Sequence, residues 1–514
     1  MKPILGGVLI KKIAIVGGGT AGWLVANHLG QQFRHQPGIT ITLIESPTIA
    51  TIGVGEGTVP AIRYSLKKFG VSETDLLTQC DATFKHSIKF INWLDKSKHG
   101  ENAYHHLFSN PLVHGLDLTS LWLHQVGDYA SFVSPQAAVV AASLAPKSIT
   151  AAEFQCTVPY AYHFDARKFA GLLHANATES FRVQYVQADV TDIRIDEAGF
   201  ITHLVTAQQG ELAFDFVIDC TGFQAALLGE KLKIPFQSCA DQLFTDTALA
   251  VQVPYNQEPK LPPYTLASAH QAGWVWDIGL TSRRGVGFVY SSAHMTEDKA
   301  YQKLERYVGK SELATLSVRK IPMQVGRRAK FWHKNCVAIG LSQGFVEPLE
   351  ATAILLADFS ADLLSQCFPA ERSEMDLVAE RFNQRMVHAW DRVLDFIKLH
   401  YCISDRTDSD FWHDNREPAS IPESLQQKLA LWRNHVPTRE DFFSKFEVFD
   451  LENYLYVLYG MKYPTKKPLL TPDYQAQAEL AAKQVQQQAQ VLGSELIPHQ
   501  ELLAKIKQYG LQKV

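Results

Sequence analysis

The sequence predicts an α/β fold: a strand–helix–strand core, mixed-sheet insertions that cover it, and a helical C-terminal region. Three observations predict it. "IAIVGGGTAGW" reads as an apolar strand, a glycine turn and a helix-like stretch (Ala21, Leu24, Val25, Leu29), and "ITITLIES" is a second buried strand ending at Glu45. From about 84 to 330 the texture is mixed, with strand-like runs such as "FVIDCTGF" and "DTALAVQVPY". From about 352 to 510 helical patterning dominates. The expected division is therefore 1–360 for the core, with interleaved insertions at about 91–165 and 240–320, and 361–514 for a mainly helical region packed on it.

Smaller elements follow in order. Residues 61–83 read as helical, with Ser72 and Asp75 as an N-terminal cap. The Gln/Ala-rich stretch "DYQAQAELAAKQVQQQAQVLG" reads as a solvated surface helix. The chain has 514 residues, 46% hydrophobic and 20% charged, an ordinary globular balance with room for one large or several medium domains. A net charge of −4 without a polybasic run argues against nucleic acid or an anionic membrane as partner. No apolar run approaches the ~18 residues of a membrane span. The N-terminus lacks a cleavage region and passes directly into the first strand, which reads as structure and not as a signal peptide. Seven scattered cysteines, odd in number, fit core packing in a reducing cytoplasm.

The first turn carries a nucleotide signature. Gly17, Gly19 and Gly22 form G-x-G-x-x-G at a strand end, with Thr20 and Ala21 opening the helix. The first glycine permits the tight turn, the second lets backbone approach a pyrophosphate, and the third lets helix and strand pack closely. The helix start supplies amide hydrogens and a positive dipole to phosphates. Glu45 is placed to accept from a ribose hydroxyl. Two later segments favour FAD over NAD. "FVIDCTGF", with Asp219, and "NCVAIGLSQGFVEPLEAT", with Leu341, each return a strand and a turn toward the same end, as a large cofactor requires. The expected fold is thus an FAD-binding Rossmann-like core.

Taken together, "GGGTAGW", "GVGEGTVP", "FKHSIKFINW", "GWVWDIG", "CVAIGLSQGFVEPLEAT" and "ENYLYVLYGM" resemble the flavin-dependent tryptophan halogenase family, from about residue 12 to 465. The resemblance implies that FADH2 arrives from a separate flavin reductase. With O2 it oxidises a halide ion, chloride or bromide, to hypohalous acid. That acid reaches a lysine beside an indole-like aromatic substrate, and the lysine delivers the halogen to the ring.

Residue by residue, the resemblance implies the following. Lys85 is the catalytic lysine, and an ammonium in so apolar a stretch is costly unless paired or deprotonated. Glu350 is its acidic partner, which stabilises a charged amine or acts as a base if its pKa is raised. Glu347 reads as structural, capping backbone amides. Amides of Thr352 and Ala353, at a helix start, hold the halide; the family's glycine is Ala353 here. Trp274 and Trp276, two apart on a strand, face one way and wall the flavin from the substrate; the family's proline after them is Gly279. Gly55 and Glu56 belong to a strap over the flavin. His106 and Phe108 sandwich the aromatic ring. Tyr454 helps hold the amino-acid end of tryptophan, but its family neighbour is replaced by Leu455, which argues against free tryptophan as native substrate. Glu452 is a candidate for the acid that binds the ammonium.

No metal site is expected, since His105, His106 and His114 lack supporting acids. A homodimer is the commonest assembly for such a chain. One rival is a single-component flavin monooxygenase hydroxylating an aromatic ring. Many of these carry Gly-Asp where this chain has Gly340, Leu341 and Ser342. The other is a non-catalytic flavin-binding protein, against which Lys85, Glu350 and the tryptophan pair speak together.

Overall fold

The computed structural model describes residues 8–49, 55–257 and 260–513. Residues 1–7, and Gly53 and Val54 of the strap segment, lie outside them. Two large sheets organise the chain. The first has six strands in the order Gln184–Gln187, Thr40–Glu45, Lys12–Val16, Phe216–Asp219, Cys336–Ala338, Trp332–His333. All its pairs are parallel except the last. Parallel strands need both faces covered, and alternate residues serve the two faces. Ile13 and Ile15 join the main core with Leu24 and Leu29 of the helix Thr20–Gln32. Ala14 and Val16 join a second cluster with Val217, Leu227, and Ile201 and Leu204 of a small antiparallel sheet.

The second large sheet has seven strands, ordered Arg319–Pro322, Thr247–Pro254, Arg283–Tyr290, Gly273–Gly279, Tyr264–His270, Ser87–Ile91, Ala103–Leu107. Cross-strand partners share a face, so register decides what the site sees. Trp276, Ala267, Phe90 and Tyr104 make one row, and Thr265, Ile88 and His106 another on the same face. A third sheet puts Ala161–Asp165 between Gly55–Gly57 and Thr83–Lys85. The strand Thr83–Lys85 runs almost directly into Ser87–Ile91, which ties the third sheet to the second.

The stretch 61–83 is two helices rather than one. Ile62–Phe69 ends at Gly70 in a left-handed conformation (φ 75°), and Glu73–Gln79 starts where the Ser72 hydroxyl accepts from the Asp75 amide at 3.2 Å. In the C-terminal region, Met375–Cys402 is buried on every side over its last turns, from Val393 to Tyr401, as a helix enclosed by other elements must be. The Gln/Ala-rich helix Pro472–Glu495 keeps one apolar seam: Ala478, Ala481, Ala482 and Val485. No helix among the described residues is long and apolar enough to cross a membrane. All seven cysteines are free thiols.

Candidate active site

The tips of the parallel strands meet the start of helix Thr20–Gln32. Gly17 sits at φ 120°, where a Cβ would lie 2.2 Å from the Cys220 carbonyl oxygen. A Cβ on Gly22 would lie 1.9 Å from the Gly17 carbonyl oxygen. Gly19 differs: a Cβ there would meet nothing within 4 Å, so this position faces open space. The helix start has no side-chain cap, which leaves first-turn amides at Thr20 and Ala21 free. The Glu45 side chain folds over Gly18, and Tyr185 donates to its Oε2 at 2.7 Å, leaving Oε1 for a ligand. These features fit a dinucleotide. Gly340, at φ 75°, packs on Ala21 and brings Leu341 to the same end.

Asp219 lies buried at the end of its strand. Its oxygens accept from the Thr221 amide and hydroxyl, the Ser342 hydroxyl, and the Leu227 and Leu228 amides. The buried carboxylate is spent on shaping the turn and joins the second and third returning segments. Burial pushes Glu56, on the strap strand, up to about 7.

Lys85 is fully buried, and its Nζ donates to the Thr58 carbonyl at 2.9 Å. Phe108, half-buried, presents its ring 5.4 Å from that nitrogen. Burial drives the amine down to about 7 against the opposing charge of Glu350. Glu350 is also buried, yet it makes no ion pair with Lys85; two histidines hold it instead. His106 Nδ1 lies 2.9 and 3.0 Å from its two oxygens, and His400 Nε2 lies 2.9 Å from Oε1. The remaining nitrogens face acceptors too, Asn453 Oδ1 at 3.1 Å and the Phe396 carbonyl at 2.9 Å. Burial alone would raise the Glu350 carboxyl, but the charge and hydrogen bonds of His106 and His400 outweigh it and bring it down to about 2. Glu350 is therefore held as an anion.

Glu347 is the reverse case. The Thr245 and Tyr401 hydroxyls donate to it, where amide capping was expected. Burial pushes it up to about 7, because these donors and the more distant charge of Lys398 only partly offset the lost water. After Glu350 the backbone turns through Ala351 in a left-handed conformation (φ 56°) and enters the helix Thr352–Gln366, again without a side-chain cap. The Thr352 hydroxyl is buried without a partner, and Thr352 and Ala353 line a small pocket with Leu341, Phe345 and Trp390.

Trp274 and Trp276 are buried on one face of the second sheet, ring centroids 6.3 Å apart. Trp276 lies flat because its neighbour across the strand is Gly287, where a Cβ would come within 2.1 Å of the indole. His106 spends its ring on Glu350 and Asn453 and packs edge-on to Phe396. Tyr454 turns into the helical core among Phe396, Trp432 and Phe442, while Asn453 and Tyr456 of the same helix reach His106. Glu452 pairs with Arg439 and accepts from Asn110. Sequence reasoning missed His400, His163, Thr265 and Tyr401, which come from distant segments and carry no local signature. Among the described residues no group of three His, Cys, Asp or Glu could hold a metal ion.

The fold recurs in known proteins. A family model described as tryptophan halogenase matches residues 12–475. A 7-chloro-L-tryptophan 6-halogenase of Kutzneria sp. is 34% identical, over 96% of this chain and 99% of that protein. The crystal structure of a tryptophan halogenase from Shewanella frigidimarina is 42% identical with a TM-score of 0.95, over 98% of this chain and 99% of that one. A tryptophan C-6 flavin-dependent halogenase from taromycin biosynthesis is 32% identical with a TM-score of 0.90, over 97% and 100%. Agreement over nearly the whole length, in sequence and in backbone, makes this chain a member of the tryptophan halogenase family, a flavin-dependent halogenase.

Proposed function

We propose that the chain halogenates an electron-rich, indole-like aromatic at Lys85, using FADH2 supplied by a separate reductase, O2 and chloride or bromide. FAD fits the crossing formed by Gly17, Gly19, Gly22, Thr20, Ala21 and Glu45, with Gly55 and Glu56 on the strap and Leu341 opposite. When bound in its reduced form it supplies, with oxygen, the oxidising power that turns halide into hypohalous acid. Thr352 and Ala353 offer the halide two amides and a buried hydroxyl. Trp274 and Trp276 wall the oxidant's source from the aromatic pocket.

The observation that carries the reading is Lys85: buried, held by one carbonyl, and neutral in part near pH 7. The neutral amine attacks the halogen of hypohalous acid, forming an N–halogen bond and releasing water. The ring then takes the halogen, the amine is regenerated, and the ring loses a proton. Glu350 stays anionic throughout and stabilises the positive charge that builds on amine and ring. Phe108 offers the ring a stacking face. Relatives are named for tryptophan, but Tyr454 and Leu455 are both buried in the helical core, so an amino-acid end has no grip there. We therefore favour a substrate lacking that zwitterion. Seven free cysteines support a reducing cytoplasm.

The test is Lys85→Ala, assayed with a flavin reductase, NADH, FAD and bromide against a panel of indoles and phenols, with products read by mass. Halogenated product vanishes while FAD binding persists. Product at the normal rate from the variant refutes the assignment.

A further inference from the structure

Lys85 has a second neighbourhood, away from Glu350, that the reaction above does not use. His163 is fully buried at the centre of the third sheet, opposite both Gly57 and Thr83. A Cβ on Gly57 would lie 3.4 Å from each of Lys85 Nζ, His163 Cδ2 and Thr265 Oγ1, so the three converge on one point.

Their hydrogen bonds have one consistent direction. The Thr83 hydroxyl donates to the Gly279 carbonyl at 2.8 Å, since a carbonyl only accepts. Its oxygen is then left to accept from His163 Nδ1 at 3.2 Å. Burial, followed by the charge of Lys85, holds the His163 imidazole neutral. Its Nε2 therefore accepts, and the donor is the Thr265 hydroxyl at 2.8 Å. Thr265 has spent its only hydrogen and presents lone pairs alone to the lysine.

We propose that His163 and Thr265 are positioning residues for Lys85: His163 fixes the Thr265 hydroxyl as an acceptor, and Thr265 with the Thr58 carbonyl draws the amine's hydrogens away from the aromatic pocket. Two acceptors take two hydrogens, the Thr58 carbonyl directly and Thr265 through one water. The third valence of nitrogen, a lone pair in the neutral amine, points to the Phe108 side. The Thr58 amide and hydroxyl donate to the Tyr162 carbonyl and that hydroxyl accepts from the Tyr162 amide, so the strand that carries His163 also holds Thr58 in place. The inference rests on Lys85 as the catalytic amine.

The titratable groups around Lys85 are few. Glu350 faces it as an anion, and His163 faces it as a neutral ring. His86 and His499 lie on the opposite face of the strand, where His499 Nε2 accepts from the Phe84 amide at 3.1 Å and Nδ1 donates to the Leu261 carbonyl at 2.9 Å. An acceptor favours the charged amine more than the neutral one, so removing it lowers the lysine's pKa.

The test is Thr265→Val, which keeps shape and removes the acceptor, beside Thr265→Ser, which keeps both. Single-turnover halogenation with prereduced FAD and bromide is followed from pH 5.5 to 9. The wild-type rate inflects near pH 7. In Thr265→Val the inflection moves down by about one pH unit, with substrate KM unchanged, and Thr265→Ser restores it. His163→Leu, which frees the Thr265 hydrogen to reach the lysine lone pair, lowers the plateau rate as well. A wild-type profile without an inflection near pH 7, or a Thr265→Val profile that overlays it, overturns the proposal. Activity in Lys85→Ala would instead refute the underlying reading.

Discussion

Lys85 should cost the fold more than it contributes. A lysine titrating at about 7 rather than 10.5 is held neutral or strained by its surroundings. At about 1.36 kcal/mol per pH unit, that gap amounts to about 5 kcal/mol below pH 7. Lys85→Met keeps the length of the side chain and removes the charge. It also strips the Thr58 carbonyl of its donor, a loss of about 1–2 kcal/mol. The net expectation is a variant more stable than wild type by about 3 kcal/mol at pH 6–7. For a chain this long, about 2.1 cal/mol/K per residue puts that at about 3 °C in Tm.

The pH dependence separates this cause from better packing. Between pH 7 and 10.5 the unfolded state holds the lysine proton and the folded state has released it, so wild-type stability rises with pH through this window. The variant has no such contribution. Its advantage is therefore flat below pH 7 and shrinks by about 1.4 kcal/mol per pH unit above it. The lost Thr58 bond is independent of pH and shifts the whole curve without bending it. The assay is urea unfolding of both apoproteins at pH 6, 7, 8 and 9, followed by tryptophan fluorescence. Parallel curves, with a constant gap from pH 6 to 9, would refute the claim that burial perturbs Lys85.

Three further outcomes follow from the site. Gly19→Ala should fold normally, since its Cβ meets nothing, yet weaken FAD binding at least about tenfold by flavin fluorescence titration, because the space it fills is where a pyrophosphate approaches. His400→Leu leaves Glu350 with one histidine; the carboxyl rises from about 2, and loss of about 1–3 kcal/mol of charge stabilisation lowers the single-turnover rate roughly tenfold or more. Because wild-type Glu350 stays ionised until pH falls well below 4.5, the variant also loses rate at a higher pH on the acid side. His499→Ala uncaps the Phe84 amide beside Lys85, and should cost about 1–3 kcal/mol in urea unfolding together with activity.

The glycine turn after the first strand was legible because its requirements are local. Turn, close approach and helix packing fall on three glycines within six residues, and each meets its own constraint. The shell around Lys85 was not. His163, Thr265 and His499 arrive from the third sheet, the second sheet and the last helix, so no window of sequence contains them together. The final Gln/Ala-rich stretch has the pattern of a solvated surface, and nothing in it announces that the next helix carries a histidine to the lysine strand. The setting of Tyr454 among Phe396, Trp432 and Phe442 was hidden for a different reason. A motif specifies position along a helix but not azimuth, and here the face that reaches the sheet is that of Asn453 and Tyr456.

The two acids of "EPLE" show what sequence cannot weigh. Both are buried, and both carry hydrogen-bond donors from the same long helix, Tyr401 for Glu347 and His400 for Glu350. Adjacent residues of that helix thus serve acids three apart. A hydroxyl brings a dipole, which does not balance the lost hydration of a carboxylate, and Glu347 rises to about 7. The charge and hydrogen bonds of His106 and His400 outweigh burial at the other acid, and Glu350 falls to about 2. An amine brought near neutrality by burial needs a neighbour that neither takes its proton nor disappears as an anion. Of the two acids only Glu350 meets that condition, and it does so through His106, on a strand where the sequence pointed to substrate stacking. The partner of the lysine is therefore chosen by what stands behind the acid, not by the acid's place in the motif.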